Sequence, residues 1–88
     1  MTESEFKEQS SAQGFETFVV VEREPNGVLG EHSHPFEARA LILDGEITII
    51  SDGKLQRCGP GDTFQLARDI VHTESYGPQG VRYLAARK

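Results

Sequence analysis

The chain consists of short segments in which hydrophobic and polar residues alternate, and turn signals such as Pro25-Asn26-Gly27 separate them. No segment keeps the 3.6-residue period of an amphipathic helix. Turn signals that recur about every 8–12 residues predict an all-β sandwich or barrel of about eight short antiparallel strands. Asp44-Gly45 is a predicted tight turn, and residues 76–80 are a predicted loop. The predicted strands cover residues 15–23, 28–34, 38–43, 46–50, 55–58, 63–67, 70–75 and 81–86.

The chain divides into residues 1–13 and a single domain over residues 14–88. Residues 1–13 are mostly polar, so we expect a flexible arm there, or a short strand that docks on a partner subunit. A domain this short buries only about 60–65% of the surface that its unfolded chain exposes, so a metal or a partner subunit would stabilise it. The β-rich run Phe18–Val21 would leave an apolar sheet face exposed, which predicts a homodimer.

Composition narrows the classes of partner. The net charge is −5, with 14 acidic and 9 basic residues, which argues against nucleic acid and against an anionic membrane. No apolar run approaches the ~18 residues of a transmembrane helix. The polar, acidic first residues lack the shape of a signal peptide, so we expect a cytoplasmic protein. The single cysteine, Cys58, excludes a disulfide within the chain.

All three histidines of the chain fall into one pattern. His32 and His34 are two residues apart on a predicted strand, so their side chains point to the same face. His72 lies on a later predicted strand and completes a set of three imidazoles. Three imidazoles hold a divalent metal and leave other coordination positions open to water, substrate or O2. Imidazole suits Fe, Zn, Mn, Ni, Co and Cu, so the ligands alone do not select the metal.

Two stretches resemble the motifs of the cupin superfamily. Residues 32–46, HSHPFEARALILDGE, resemble the first motif, G-x5-H-x-H-x3–4-E-x6-G. Residues 61–72, GDTFQLARDIVH, resemble the second, G-x5-P-x-G-x2-H-x3-N. The resemblance covers roughly residues 15–86 and implies a double-stranded β-helix, or jelly-roll barrel, with a metal bound by His32, His34 and His72 in its mouth.

The chain also departs from these motifs. The glutamate ligand of the family falls on Ala38, which implies a metal with three neutral histidine ligands and no carboxylate. Two glycines of the motifs fall on Asn26 and Asp69, residue types that accept turn geometry. The proline falls on Ala67, and the asparagine falls on Tyr76.

Four further residues are candidates for the site. Glu37 adjoins the lost glutamate and would become a ligand only if a β-bulge turned it inward; otherwise it is a solvated carboxylate. Glu74 shares a face with His72, so it is a candidate ligand, a substrate contact or a charge on the rim. Gln65 is a candidate for binding a cofactor or substrate if it points inward rather than to solvent. Tyr83 would add a hydroxyl to the pocket if it, rather than Arg82, faces inward.

The function follows from the metal and its charge. Three-histidine cupins that this site resembles include iron-dependent dioxygenases, so iron is the first choice of metal. A divalent ion with only neutral ligands keeps its full charge and attracts a small anionic or diketone-like molecule. Glu37 and Glu74 are the candidates for a catalytic base. Two alternatives stay open: a cupin that binds a small ligand without converting it, and a metal-dependent isomerase or lyase of a sugar acid.

Overall fold

Six antiparallel strands and one short helix form the structure, a computed structural model that describes all 88 residues. The elements are α1 (Glu3–Ala12), β1 (Thr17–Arg23), β2 (Val28–His32), β3 (Ala38–Ser51), β4 (Lys54–Cys58), β5 (Thr63–Leu66) and β6 (His72–Arg87). The predicted all-β class is confirmed. Helix α1 has ten residues, and the chain contains no helix of the length and apolarity needed to cross a membrane.

Two long strands connect the halves of the barrel. β3 and β6 pair with each other along most of their length. In one half, β1 pairs with the second part of β6, and β5 pairs with the first part of β3. In the other half, β2 pairs with the first part of β6, and β4 pairs with the second part of β3. The result is a jelly-roll barrel whose two halves share their central strands.

The structure has six strands because two predicted breaks lie inside β3 and β6. Asp44-Gly45 does not reverse the chain; it forms a bulge, with register shifts between Ile42 and Asp44 and between Gly45 and Ile47. Gly45 has φ +75° and lies against Gly80, which also has φ +75°. A glycine in the left-handed region lets a strand bulge and bend without ending. The predicted loop at residues 76–80 likewise continues β6.

Replacing Gly45 with alanine should lower the free energy of unfolding by about 3 kcal/mol. The added Cβ would lie 2.1 Å from the carbonyl oxygen of Gly80, so the two strands would have to separate. Gly53→Ala is the matched control, because Gly53 has φ +74° but no atom within 4 Å of the added carbon. It should lose only about 1 kcal/mol. Urea unfolding measures both, and equal losses would show that the contact with Gly80 costs nothing.

Hydrophobic residues form one core inside the barrel and a second core under α1. Alternation along β3 explains both, since Ala40 and Ile42 point into the barrel while Leu41 points outward. The inner core consists of Ala40, Ile42, Ile47, Ile49, Cys58, Phe64, Leu66, Tyr76, Val81, Tyr83 and Ala85. The outer core consists of Phe6, Phe15, Leu41, Leu84 and Ala86.

Residues 3–12 form a packed helix where we expected an arm or a short strand. Thr2 and Glu5 make a capping box: the Thr2 hydroxyl accepts from Glu5 N at 3.1 Å, and the Glu5 carboxylate accepts from Thr2 N at 3.0 Å. Phe6 and Ser10, one helical turn apart, are fully buried. Ser10 Oγ accepts a 2.9 Å hydrogen bond from buried Arg39, whose guanidinium also lies 5.1 Å from the Phe6 ring. Helix α1 therefore covers the outer face of the sheet.

The homodimer stays a prediction, but its original reason is reduced to Val20, the one residue of Phe18–Val21 that is exposed. In the run Phe18–Val21, Phe18 packs under α1, and Val19 and Val21 pack on the inner core. A different face, on the outside of the half that contains β2 and β4, carries exposed apolar side chains. These are Val28, Ile50, Leu55 and Val71.

Candidate metal centre

Four side chains meet where β2 and β6 lie side by side. His32 is the last residue of β2, and it pairs with His72, the first residue of β6. His34 follows two residues after His32, and Glu74 follows two residues after His72 on the same face of β6. One ligand atom from each of the four lies within 4.8 Å of the others. The structure thus brings the three predicted histidines together and adds Glu74 to them.

Hydrogen bonds to the backbone orient two of the rings. His32 Nδ1 lies 2.7 Å from the carbonyl oxygen of Gly30, and His72 Nδ1 lies 3.2 Å from that of Ile70. A carbonyl oxygen only accepts, so each Nδ1 must carry the proton and donate it. In the neutral rings the Nε2 atoms then carry free lone pairs. This is the arrangement in which a metal-binding histidine uses Nε2 as its ligand atom.

The two Nε2 atoms face one carboxylate oxygen. Glu74 Oε2 lies 3.0 Å from His32 Nε2 and 3.0 Å from His72 Nε2. These contacts are ion-paired hydrogen bonds where a ring carries a second proton, and where both rings are neutral a cation must lie among the three lone pairs. Ligand atoms about 2.1 Å from a metal and at right angles are about 3.0 Å apart, so a divalent cation suits this spacing. The donor set therefore fits a metal, and it could hold any of several divalent ions.

Two contacts fix the position of His34, one to its backbone carbonyl and one to the face of its ring. Asp69 N donates a 2.8 Å hydrogen bond to the carbonyl oxygen of His34. The Phe36 ring stacks on the His34 ring, with centroids 5.0 Å apart and an interplanar angle of 19°. Burial, and after it the nearby His32 and His72, lower the pKa of His34. A lowered pKa favours the neutral ring, which is the form that binds metal.

Tyr76 holds the other oxygen of Glu74. Its hydroxyl donates a 3.2 Å hydrogen bond to Glu74 Oε1. Burial raises the pKa of Tyr76 to about 12, so the hydroxyl keeps its proton. This role was not predicted from the sequence, because the predicted strand ends at Ser75 whereas β6 continues to Arg87. Continued alternation through His72, Glu74 and Tyr76 was the signal that pointed to it.

A cavity of about 80 Å³ opens beside the cluster. Tyr83 lines this cavity, so Tyr83 rather than Arg82 is the residue that faces inward. Arg82 points outward, and its Nε lies 3.4 Å from Glu22 Oε1. Burial raises the pKa of Tyr83 to about 12, so its hydroxyl also stays protonated. The lining comprises His32, His34, Glu74, Tyr83, three arginines (Arg23, Arg39, Arg87) and the apolar Val21, Leu29, Phe36, Ala38, Ala40, Phe64, Leu66 and Ala85.

The structure does not bring Glu37 or Gln65 to this centre. Ala38 lines the cavity, and neither Glu37 before it nor Gln65 does. Gln65 Nε2 instead donates to Glu37 Oε1 over 3.4 Å. The backbone of Glu37 pairs with Lys88, and no bulge turns its side chain inward. Side chains alternate along the strand, so Glu37 points to the opposite side from Ala38 and away from the metal centre.

Glu74 corrects the expectation that the cluster contains no carboxylate. Ala38 occupies the position of the glutamate in the cupin motif, on β3, and a carboxylate comes instead from β6. The two residues at the glycine positions of the motifs adopt the left-handed backbone that glycine favours: Asn26 has φ 57°, and Asp69 has φ 62°.

Comparison with known proteins agrees with this geometry. Residues 19–84 match the family model described as "Cupin domain". The chain belongs to the cupin family. Among solved structures, a protein of unknown function from Rhizobium leguminosarum bv. viciae superposes with a TM-score of 0.77 at 17% identity, over 81% of this chain and 67% of its own. KdgF from a Halomonas species gives a TM-score of 0.67 at 19% identity, over 80% and 67%. These two likenesses show the fold alone.

An enzyme also appears among the similar structures. DMSP lyase DddQ from Ruegeria pomeroyi superposes with a TM-score of 0.74 at 25% identity, over 81% of this chain. This cupin chain corresponds to only 36% of the length of DddQ. No curated protein matches it. The comparisons thus identify the family and leave the activity to the chemistry of the centre.

Proposed function

We propose that this cupin is a metal-dependent enzyme that converts a small anionic metabolite, with His32, His34, His72 and Glu74 as the metal ligands. The observation that supports it is the cluster of four ligand atoms within 4.8 Å in the wall of a cavity. When bound, a divalent metal would polarise a substrate oxygen and, if it is iron, offer a position for O2. The other cavity residues bind and orient the substrate.

The size and charge of the cavity favour a small anion. About 80 Å³ is far below the ~300–1,000 Å³ of sites for drug-sized ligands. Apart from Glu74 and the histidines, the charged side chains free in its lining are Arg23 and Arg87, since Arg39 binds Ser10 on α1, although the chain as a whole carries −5. The apolar Phe36, Phe64 and Leu66 also line the cavity, and apolar surroundings strengthen the attraction between these charges and an anion.

A lyase or isomerase reaction is the form that the centre supports best. Both need a polarised substrate oxygen and the transfer of a proton, and neither needs an oxidant. Tyr83 offers a protonated hydroxyl in the cavity for the proton transfer, while Glu74, oriented by Tyr76, is engaged as a metal ligand. The likeness to a DMSP lyase supports the same choice.

An Fe(II)-dependent dioxygenase is the second candidate. Ala38 and Ala40 leave room in the cavity, and their apolar surroundings suit O2 and a diketone-like substrate. The carboxylate of Glu74 weakens this candidate, since it removes one unit of the metal charge on which the expectation for a diketonate relied. Both forms keep the predicted cytoplasmic location.

One pair of assays separates these reactions. Protein loaded with Zn, Mn or Ni is given small sugar acids under nitrogen, and protein loaded with Fe(II) is given acetylacetone in an oxygen electrode. We expect product under nitrogen, no turnover in chelator-treated protein, and a loss of about 100-fold in kcat for Tyr83→Phe. Oxygen uptake matched by product would establish the dioxygenase instead. Ligand binding without product in either assay would contradict an enzyme and favour a binding protein.

A further inference from the structure

Two arginines in the cavity have no acidic partner. Arg23, on β1, and Arg87, on β6, both line it, and neither forms a salt bridge. The chain has 14 acidic residues for 9 basic ones, so carboxylates are not scarce. The third lining arginine, Arg39, is occupied on the other side of the sheet by Ser10 and Phe6. Arg23 and Arg87, both exposed to solvent, are therefore the lining arginines whose charge no acidic side chain compensates.

The two arginines contact different neighbours of the metal ligands: Arg87 contacts Phe36, and Arg23 contacts Tyr76. The Arg87 guanidinium lies 4.9 Å from the centre of the Phe36 ring, and that ring stacks on His34. Arg23 lies beside the Tyr76 hydroxyl, which donates to Glu74. One face of Arg87 is thus covered by an aromatic ring. Arg23 donates a 3.2 Å hydrogen bond to the backbone oxygen of Glu22 and also hydrogen-bonds the Tyr76 hydroxyl, and its remaining donors are free.

We infer that Arg23 binds a second anionic group of the substrate, a carboxylate, while the first anionic end faces the histidines and Glu74. The substrate is then a small dicarboxylate. A guanidinium presents paired donors that match the two oxygens of a carboxylate. Arg87 contributes by holding Phe36 against His34. This inference rests on the proposed function, because it takes the first anionic end to be bound at the metal.

The test compares two probes of similar shape on the Zn-loaded protein. Succinate carries two carboxylates, whereas butyrate has a methyl group in place of the second. We expect calorimetry to show that succinate binds at least about tenfold more tightly than butyrate. One charge-assisted hydrogen-bonded pair contributes an affinity difference of this size. In Arg23→Gln the ratio of the dissociation constant of butyrate to that of succinate should fall to about one. Arg82→Gln is the matched control, since Arg82 is exposed, lies outside the cavity and pairs with Glu22; its ratio should equal that of the wild type.

The outcomes separate the inference from the function on which it rests. Zinc binding is measured first, and failure to bind one equivalent would overturn the proposed function whatever Arg23 does. If zinc binds and Arg23→Gln keeps the wild-type ratio, the second carboxylate is held elsewhere and the inference is wrong. If Arg87→Gln alone abolishes the ratio, the assignment to Arg23 is wrong as well. A wild-type ratio near one would exclude a dicarboxylate.

Discussion

Replacing Glu74 with glutamine should lower the affinity for Zn²⁺ by about 100-fold, while Glu37→Gln should leave it unchanged within about twofold. Glutamine keeps the size of the side chain but removes the negative charge between His32 Nε2 and His72 Nε2, each of which lies 3.0 Å from Glu74 Oε2. Glu37→Gln is the matched control, because the Glu37 carboxylate lies outside the cavity and accepts a hydrogen bond from Gln65. Competition with a chromophoric chelator at fixed pH measures both affinities.

A third variant separates a loss of zinc affinity at the metal centre from a loss caused by unfolding. His34 is only partly buried, so His34→Ala should keep the barrel folded while the zinc affinity falls by orders of magnitude. Circular dichroism checks the fold. Bound metal also stabilises a protein, by about 2.7 kcal/mol at 100 times its dissociation constant, so thermal unfolding with and without zinc gives a second readout. Wild-type affinity in Glu74→Gln would return the centre to the three neutral ligands predicted from the sequence.

The three histidines were predictable because their spacing and the strand period carry the information. His32 and His34 share a face by parity, and the cupin motifs place His72 opposite them. Glu74 satisfied the same parity with His72, yet its role stayed open. Parity tells which face a side chain occupies, but it does not give the distance across the site. That distance depends on the pairing of His32 with His72, a contact between residues far apart in the chain.

Partners far apart in the chain also explain the number of strands. Asp44-Gly45 has the sequence of a hairpin turn, and nothing local distinguishes a turn from a bulge. Gly80 makes the difference, since it lets β6 pass so close to Gly45 that no side chain fits between them. The role of Arg23 also could not be predicted from local sequence, because only the closed barrel places the end of β1 beside Tyr76.

Helix α1 was hidden for another reason. Thr2-x-x-Glu5 is a capping box that the sequence displays, but the residues after it bury only Phe6 and Ser10. One apolar residue cannot establish a 3.6-residue period, so the segment resembled a polar arm. The structure shows why so little apolar surface suffices: Phe6 fits among Phe15, which precedes β1, and Leu41 and Leu84 of the sheet.

Replacing Phe6 with alanine should therefore release α1 from the barrel, at a cost of up to about 4 kcal/mol. Phe6 is 0% exposed and is the only large apolar side chain that α1 buries. Its loss would leave a cavity in the outer core and would remove the aromatic ring 5.1 Å from the Arg39 guanidinium. The cost cannot exceed the free energy of docking the helix, because beyond that limit the helix detaches and the barrel stays folded.

Two measurements separate detachment from general unfolding. Amide exchange should lose protection over residues 3–12 in Phe6→Ala, while β3 and β6 stay protected. Lys7→Ala, one position along the same helix and exposed, should behave as the wild type. If Phe6→Ala and Lys7→Ala show equal stability and exchange, α1 contributes nothing by packing, and residues 1–13 act as the flexible arm that the sequence predicted. If the whole barrel loses protection, the outer core is needed to keep the strands around the metal centre in place.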